Sequence, residues 1–468
     1  MKKSLCRFLM GCLVWGAACN PAPSPHWTAD LAIEGATILT MDPSRALYAP
    51  GTLLIKDGAI LALGPQDSLA GQYVATRRLQ AEGQLVLPGL INTHCHAAMV
   101  LFRGLADDLA LQDWLQFYIW PAEAEFIDSL SVRVGTQLAM AEMIRGGITT
   151  FNDMYFYMDE VARAAKAAGM RAVIAEGLLD FPVPGSPNPE QGLARTRRLL
   201  EGYQNDPLIT VAVGPHAPYS CSSGLLQQAD SLARRWEAPL HIHLSETRTE
   251  LADIARPYGG LSPPAYLDSL GLLGPRTIGA HGVWLSPADI ELLAARQVGI
   301  SHNPESNMKL ASGVAPLVAL RQAGVKLGLG TDGAASNNNL DLWQEMNTAA
   351  KLQKVHLEDP AAMEAYAILL MATRGGAQLL GLDQQVGSLE VGKRADLQIV
   401  DLQGPHAHPI YNLYSQVVYA LRAGDVRTVI IDGRLVMEDR QLLTLDEASI
   451  FRQVDSLAGH IREKLLAP

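Results

Sequence analysis

The chain is poor in cysteine, in aromatic residues and in clustered positive charge. Five cysteines in 468 residues are too few for a disulfide scaffold. Three of them, Cys6, Cys12 and Cys19, crowd the very start. Lys and Arg total 37 against 48 Asp and Glu, a net charge of −11. No block of five or six basic residues occurs, so an electrostatic footprint for nucleic acid is missing. The body of the chain has no uncharged apolar run of the roughly 18 residues that a spanning helix needs. H-E-x-x-H, G-x-S-x-G and P-C-x-x-C are all absent. Two glycine-rich stretches only imitate phosphate sites. Gly328-Leu-Gly330-Thr-Asp-Gly333 is followed some twenty residues on by 351–354, which holds no acid for a ribose. Gly387-Ser-Leu-Glu-Val-Gly392-Lys393 places Arg394 where a Ser or Thr would hold Mg²⁺.

What is present is ordinary globular material, 48% hydrophobic and 18% charged. The start is the exception. Lys2, Lys3 and Arg7 precede an uncharged apolar stretch over 8–18, which has the length of a signal-peptide core. Gly16-Ala17-Ala18-Cys19 resembles a bacterial lipoprotein cleavage site with Cys19 as the lipidated residue. The proline-rich 20–25 reads as an extended tether. The alternative is an ordinary secretory signal cut after Ala18. Either route implies export to a bacterial cell envelope; the lipid route anchors the protein at the periplasmic side or the cell surface.

Short strands dominate 31–86, where Asp57-Gly58 marks a two-residue hairpin. A second such hairpin, at Asp432-Gly433, lies near the end of the chain. Between these β pieces, apolar runs alternate with helical stretches: 87–96, 147–154, 171–178, 209–218, 239–246, 277–284, 299–307 and 325–333. Eight strand-then-helix units point to an α/β fold of the (β/α)₈ barrel type.

Histidine and acid fall at one end of these runs. In such a barrel the site forms at the C-terminal ends of the strands. His94 and His96 close the first run, two residues apart and so on one face. His216 closes the fourth, His243 and Glu246 the fifth, His281 the sixth and Asp332 the eighth. Imidazole and carboxylate donors suit Zn²⁺, one per subunit, with Fe²⁺ as the alternative. His94, His96 and His243 read as neutral ligands. Asp332 either ligates or takes the proton lost by a metal-activated water, whose pKa falls to about 7 on zinc. His281 is placed to stabilise the charge that develops on attack. Glu246 is placed to shuttle a proton to the leaving group.

These residues resemble the amidohydrolase superfamily, from about 30 to 440. The signature opening is Val86-Leu-Pro-Gly-Leu-Ile-Asn-Thr-His-Cys-His96, and Gly387 to Asp401 resembles the return into a composite β domain. His243-Leu-Ser-Glu246 and Thr331-Asp332-Gly333 are similar to the aminohydrolase branch. Within it, Phe102-Arg-Gly-Leu-Ala-Asp-Asp-Leu109, Gly214-Pro-His-Ala-Pro-Tyr219 and Ser301-His-Asn-Pro-Glu-Ser-Asn-Met-Lys309 look most like 5′-methylthioadenosine/S-adenosylhomocysteine deaminases.

The resemblance implies a barrel over 89–385, a β-sandwich from 29–88 and 386–440, and a C-terminal helix over 441–468, after a signal peptide (1–18) and tether (19–28). It implies hydrolytic deamination of an adenine nucleoside through a zinc-bound hydroxide at a mononuclear site, because the fourth run has no lysine to bridge two ions. The substrates implied are 5′-methylthioadenosine, S-adenosylhomocysteine or adenosine. Alternatives are a triazine chlorohydrolase, a guanine, cytosine or pterin deaminase, or a non-catalytic envelope lipoprotein. A homo-oligomer is compatible with all of these.

By the same resemblance Glu123 binds ribose hydroxyls and His216 faces the ring or sugar. Leu105 and Trp114 form a lid, and Asn303, Ser306 and Asn307 shape the mouth. Glu176 stands where some relatives carry an arginine for a substrate carboxylate, so it should repel such a group unless Arg195, Arg197 or Arg198 compensates. His241 reads as packing and His302 as a structural hydrogen-bonder.

Overall fold

The computed structural model describes residues 26–465. The proposed signal peptide, Cys19 and all but the end of the tether lie outside them.

All eight runs form strands, and the strands close into a parallel barrel. They are β1 (Leu90–Cys95), β2 (Ile148–Tyr155), β3 (Arg171–Leu178), β4 (Ile209–Pro215), β5 (Leu240–Leu244), β6 (Thr277–His281), β7 (Gly299–His302) and β8 (Lys326–Leu329). Every residue of β2 and β3 is buried, as expected of parallel strands covered on both sides. Side-chain caps start several of the intervening helices just after the loops. Asn188, Ser222, Thr247 and Ser286 each accept a hydrogen bond from a first-turn backbone amide.

The composite β domain is built from both chain ends, joined in one nine-stranded mixed sheet. Strand Trp27–Leu39 changes partners midway along one edge and keeps strand Leu47–Lys56 along the other. Leu31 to Glu34 pair with Thr52 to Ile55 and with Arg77 to Gln80, whereas Thr37 and Ile38 pair with Leu85 and Val86. The sheet curls over a shared core of Leu31, Ile33 and Ile38 from the first part and Leu397, Ile399 and Ile430 from the second. Both expected hairpin turns form with left-handed backbone at Asp57-Gly58 and Asp432-Gly433. They then meet: a Cβ on Gly433 would lie 2.5 Å from the Gly58 Cα, so only glycine permits the contact.

The sheet meets the barrel at the N-terminal ends of the strands. Its strand Gln84–Pro88 leads through Gly89 directly into β1. Arg171, first residue of β3, is 3% exposed and grips Asp396 through two hydrogen bonds of 2.8 and 3.1 Å. The same carboxylate accepts the Asp432 amide at the second hairpin. The floor of the barrel is thereby covered, and the opposite rim stays free for chemistry. The helix Glu447–Leu465 packs on the helix Ser129–Arg145, where Arg145 and Glu447 form a two-pronged ion pair.

Removing one partner of a buried ion pair strands the other charge. Arg171→Ala should therefore lower unfolding stability by about 3–5 kcal/mol. A denaturant titration followed by tryptophan fluorescence reads this; a change below about 1 kcal/mol would show that the pair does not join the two parts.

Candidate active site

The rim of the barrel gathers the residues singled out by position. His94 lies one residue before the end of β1, Cys95 ends it in register with Asp153 of β2, and His96 follows. His243 lies within β5, His281 ends β6, and Asp332 follows β8. Ser245, His281 and Asp332 have positive φ angles of 54°, 76° and 60°. None is glycine, and left-handed backbone costs such residues about 1–2 kcal/mol. At the ends of β5, β6 and β8 this strain turns the chain sharply toward the site. Gly330 serves the same place differently. A Cβ there would lie 2.8 Å from the His94 carbonyl oxygen, so β8 can approach β1 only with glycine at this point.

Donor atoms of His94, His96, His243 and Asp332 lie within 4.8 Å of one another. Each imidazole has its Nδ1 already committed. That of His94 meets His241 Nε2 at 2.9 Å, that of His96 the Met154 carbonyl at 2.5 Å, and that of His243 the His216 carbonyl at 2.7 Å. The Nε2 atoms are left to face the common centre, and that of His94 is buried with no hydrogen-bond partner. The edges of this cluster are 3.2 Å (His96 to Asp332), 3.3 Å (His96 to His243) and 3.4 Å (His94 to Asp332). A tetrahedral ion with bonds of about 2.0–2.1 Å needs donor spacings of about 3.3 Å. The donor set fits one divalent metal ion.

Around it stand the groups for proton transfer. Asp332 Oδ2 accepts hydrogen bonds from Ser306 at 2.6 Å and Ser336 at 3.1 Å, leaving Oδ1 toward the imidazoles. His281 Nδ1 is held by Asn307 at 2.8 Å, so its Nε2 points to Glu246, 3.8 Å away. Glu246 is 3% exposed, and that burial raises its pKa above the usual carboxylate value. The turn carrying it is clamped by Glu250, whose two carboxylate oxygens accept the Ser245 and Glu246 amides at 2.8 Å each.

An apolar cavity leads away from this cluster. His96, His243, Glu246, His281 and Asp332 form its metal end, and Leu115, Ile119, Phe156 and Leu179 line its walls. Glu123, His216 and Trp114 also line it. Burial lifts Glu123 to about 7 and pushes His216 down to about 3, so His216 stays a neutral imidazole at physiological pH.

The structure corrects several expectations. Leu105 does not reach the cavity; the lid wall comes from the continuous helical stretch Leu111–Trp114, Leu115–Ile119 and Trp120–Phe126, whose middle turn is a π-helix. Asn303 and Ser306 do not shape a mouth. Both are fully buried beneath the site, Asn303 near His281 Nδ1 and Ser306 on Asp332. Glu176 is not in the cavity lining. It accepts the Tyr157 and Met158 amides and pairs with Arg195 at 3.2 Å, so its charge is spent there. His241 does more than pack, because it holds His94. Its place two residues before His243 on the same face was the available signal. His302 is buried with neither ring nitrogen hydrogen-bonded, so packing holds it instead. Cys95 and Cys221 are both free thiols.

An eight-stranded parallel barrel with three imidazoles and a carboxylate at its rim, flanked by a buried acid and a fourth imidazole, defines a metal-dependent hydrolase. Residues 85–436 match the model of the amidohydrolase family. Among its relatives, a 5-methylthioadenosine/S-adenosylhomocysteine deaminase of Syntrophobacter fumaroxidans is 52% identical over 93% of this chain and 99% of its own. A 5′-deoxyadenosine deaminase of Methanothermobacter thermautotrophicus is 46% identical over 88% and 95%. The crystal structure of an adenosine deaminase from Xanthomonas campestris with bound zinc superposes with a TM-score of 0.92 at 39% identity, covering 94% of this chain and 100% of that one. The chain belongs to the amidohydrolase family.

Groups that hydrogen-bond the far nitrogen of a metal-binding histidine and so fix its ring are worth about 10–100-fold in affinity. His241→Phe should weaken metal binding by that factor in a chelator competition, with His241→Gln restoring part of it. Unchanged affinity in both variants would return His241 to simple packing.

Proposed function

We propose that this protein hydrolytically deaminates adenine nucleosides, with 5′-methylthioadenosine, S-adenosylhomocysteine, adenosine and 5′-deoxyadenosine as its substrate class. The observation that carries the reading is the meeting of Glu246, His281 and Asp332 with a three-histidine donor set at the closed end of an apolar cavity. The names of the relatives support the same class.

His94, His96, His243 and Asp332 would hold the ion. Zinc is the metal the donors favour, with iron(II) as the alternative, and it supplies Lewis acidity that makes water nucleophilic at neutral pH. The protein groups manage protons and charge. Asp332, fixed by Ser306 and Ser336, presents a carboxylate oxygen to accept a proton from the attacking water. Glu246, kept from ionising easily by burial, gives its proton to a ring nitrogen of the base, is reloaded with a proton of the attacking water, and passes that proton to the departing amine as Asp332 returns to its carboxylate. His281, its Nδ1 donating to Asn307 Oδ1, presents Nε2 as an acceptor for the O–H of the attacking water and so orients it. Glu123 receives the ribose hydroxyls, and the apolar walls exclude bulk water. Water and the amine are consumed and released one for one, leaving an oxo base and ammonia.

Glu246→Gln preserves size and removes the transferable proton. It should lower kcat on 5′-methylthioadenosine by about 10²–10⁴-fold while metal content stays at one per chain. Ammonia release across a panel of adenosine, 5′-methylthioadenosine, guanine, cytosine and pterins reads both the class and the loss. Ammonia from none of them, in fully metal-loaded protein, would overturn the reading.

The basic, apolar and small-residue order of the first nineteen residues supports export, with Cys19 as the lipid-bearing residue. Mass spectrometry of membrane-derived protein should find an N-terminal diacylated Cys19. Cys19→Ala should release the protein from the membrane fraction; an intact Met1 in mature protein would rule out processing.

A further inference from the structure

The catalytic cavity adjoins a second, open groove, and two aromatic side chains, Trp120 and Tyr219, line both. Trp120 lies one turn before Glu123 in the same helix, hence on the same face as the residue assigned to the ribose. A nucleoside with its amine at the metal end and its ribose at Glu123 therefore directs its 5′ carbon toward the Trp120–Tyr219 divide. Beyond it the groove carries Phe181 and Tyr258 as further aromatic surface, with Asp180 and Asp253 as its charged groups. Among the described residues no lysine or arginine lines either the cavity or the groove. Asp180 accepts the Ser222 amide and hydroxyl, which orients it without cancelling its charge.

We infer that this groove is a 5′-substituent subsite selective for positive charge, so that adenosine thioethers ending in an amine are favoured substrates and those ending in a lone carboxylate are disfavoured. The physical basis is twofold. Carboxylates at Asp180 and Asp253 attract an ammonium and repel an anion, and aromatic faces add cation–π attraction for the ammonium alone. Glu176 takes no part, since its partners are Arg195 and two backbone amides. A neighbouring depression beyond Leu111 and Leu310 does hold a cation, Arg248 stacked on Trp284. It is lined by Thr247 to Thr249, next to Glu246, and shares none of Glu123, Trp120 and Tyr219 with the cavity.

The inference rests on the deaminase reading, and its test separates the two. The zinc-loaded full chain is assayed with 5′-methylthioadenosine, its 3-aminopropylthio analogue and its 3-carboxypropylthio analogue, at low and high salt. The amine-terminated compound should exceed the carboxylate-terminated one in kcat/KM by about tenfold at low salt, the gap shrinking as salt is added. Asp253 is exposed on a helix, so Asp253→Asn should fold normally; it should narrow the ratio, and Asp253→Lys should reverse it. Turnover of 5′-methylthioadenosine with equal rates for the two charged analogues would overturn the subsite alone. No turnover and no competitive binding by any of the three would overturn the subsite and the deaminase reading together.

Discussion

Closure of eight parallel strands is the constraint on which the rest of the molecule depends. Parallel strands all point the same way, so every βα junction is delivered to one rim. Four metal donors that are 238 positions apart at the extremes, from His94 to Asp332, become neighbours through that geometry alone. The composite sheet completes the asymmetry by occupying the other end, where Arg171 and Asp396 seal the contact. A barrel open at both ends would admit water from below to a cluster whose strength depends on exclusion from it.

Within the rim, hydrogen bonds to Nδ1 do the fine positioning. A neutral imidazole has one donor nitrogen and one acceptor nitrogen, and fixing the first aims the second. Two of the three rings use backbone carbonyls for this, at Met154 and His216. The third uses another buried histidine. His216 thus contributes twice, its carbonyl orienting His243 and its ring lining the cavity. Asp332 and His281 are steadied in the same manner by Ser306, Ser336 and Asn307, so the functional atoms rest on a layer of small polar side chains.

The barrel and its donor set were legible in the sequence because both leave periodic marks. Apolar runs recur with a unit of constant order, and the donors sit at a constant end of that unit. The cavity wall was less legible. Leu115, Ile119 and Leu179 are apolar residues on regular elements, and nothing in their spacing separates a residue facing a ligand from one facing the core. The polar supports were misplaced for a related reason. Likeness of motif points Asn303 and Ser306 to the mouth, whereas their burial beside His281 and Asp332 depends on how β6, β7 and β8 lie together in the closed barrel. The charge of Glu176 alone implies repulsion of a carboxylate, but its partner Arg195 lies on a different helix from the amides it caps. The false dinucleotide motif also has its physical reason: Gly328 and Gly330 let β8 press against Thr93 and His94 of β1.

Strand Gln84–Pro88 precedes the barrel, yet its hydrogen-bonded neighbour Leu397–Asp401 is made only after the barrel is complete. Gln398 bonds the Pro88 carbonyl across 310 residues of sequence. During synthesis this strand waits with an unpaired edge, the kind of surface on which chains associate with one another. Contacts of such long range also make folding slow. For this molecule the last-made segment is the one that ends the wait, so any shortened chain lacking the final strands leaves a sticky edge at the base of an otherwise finished barrel.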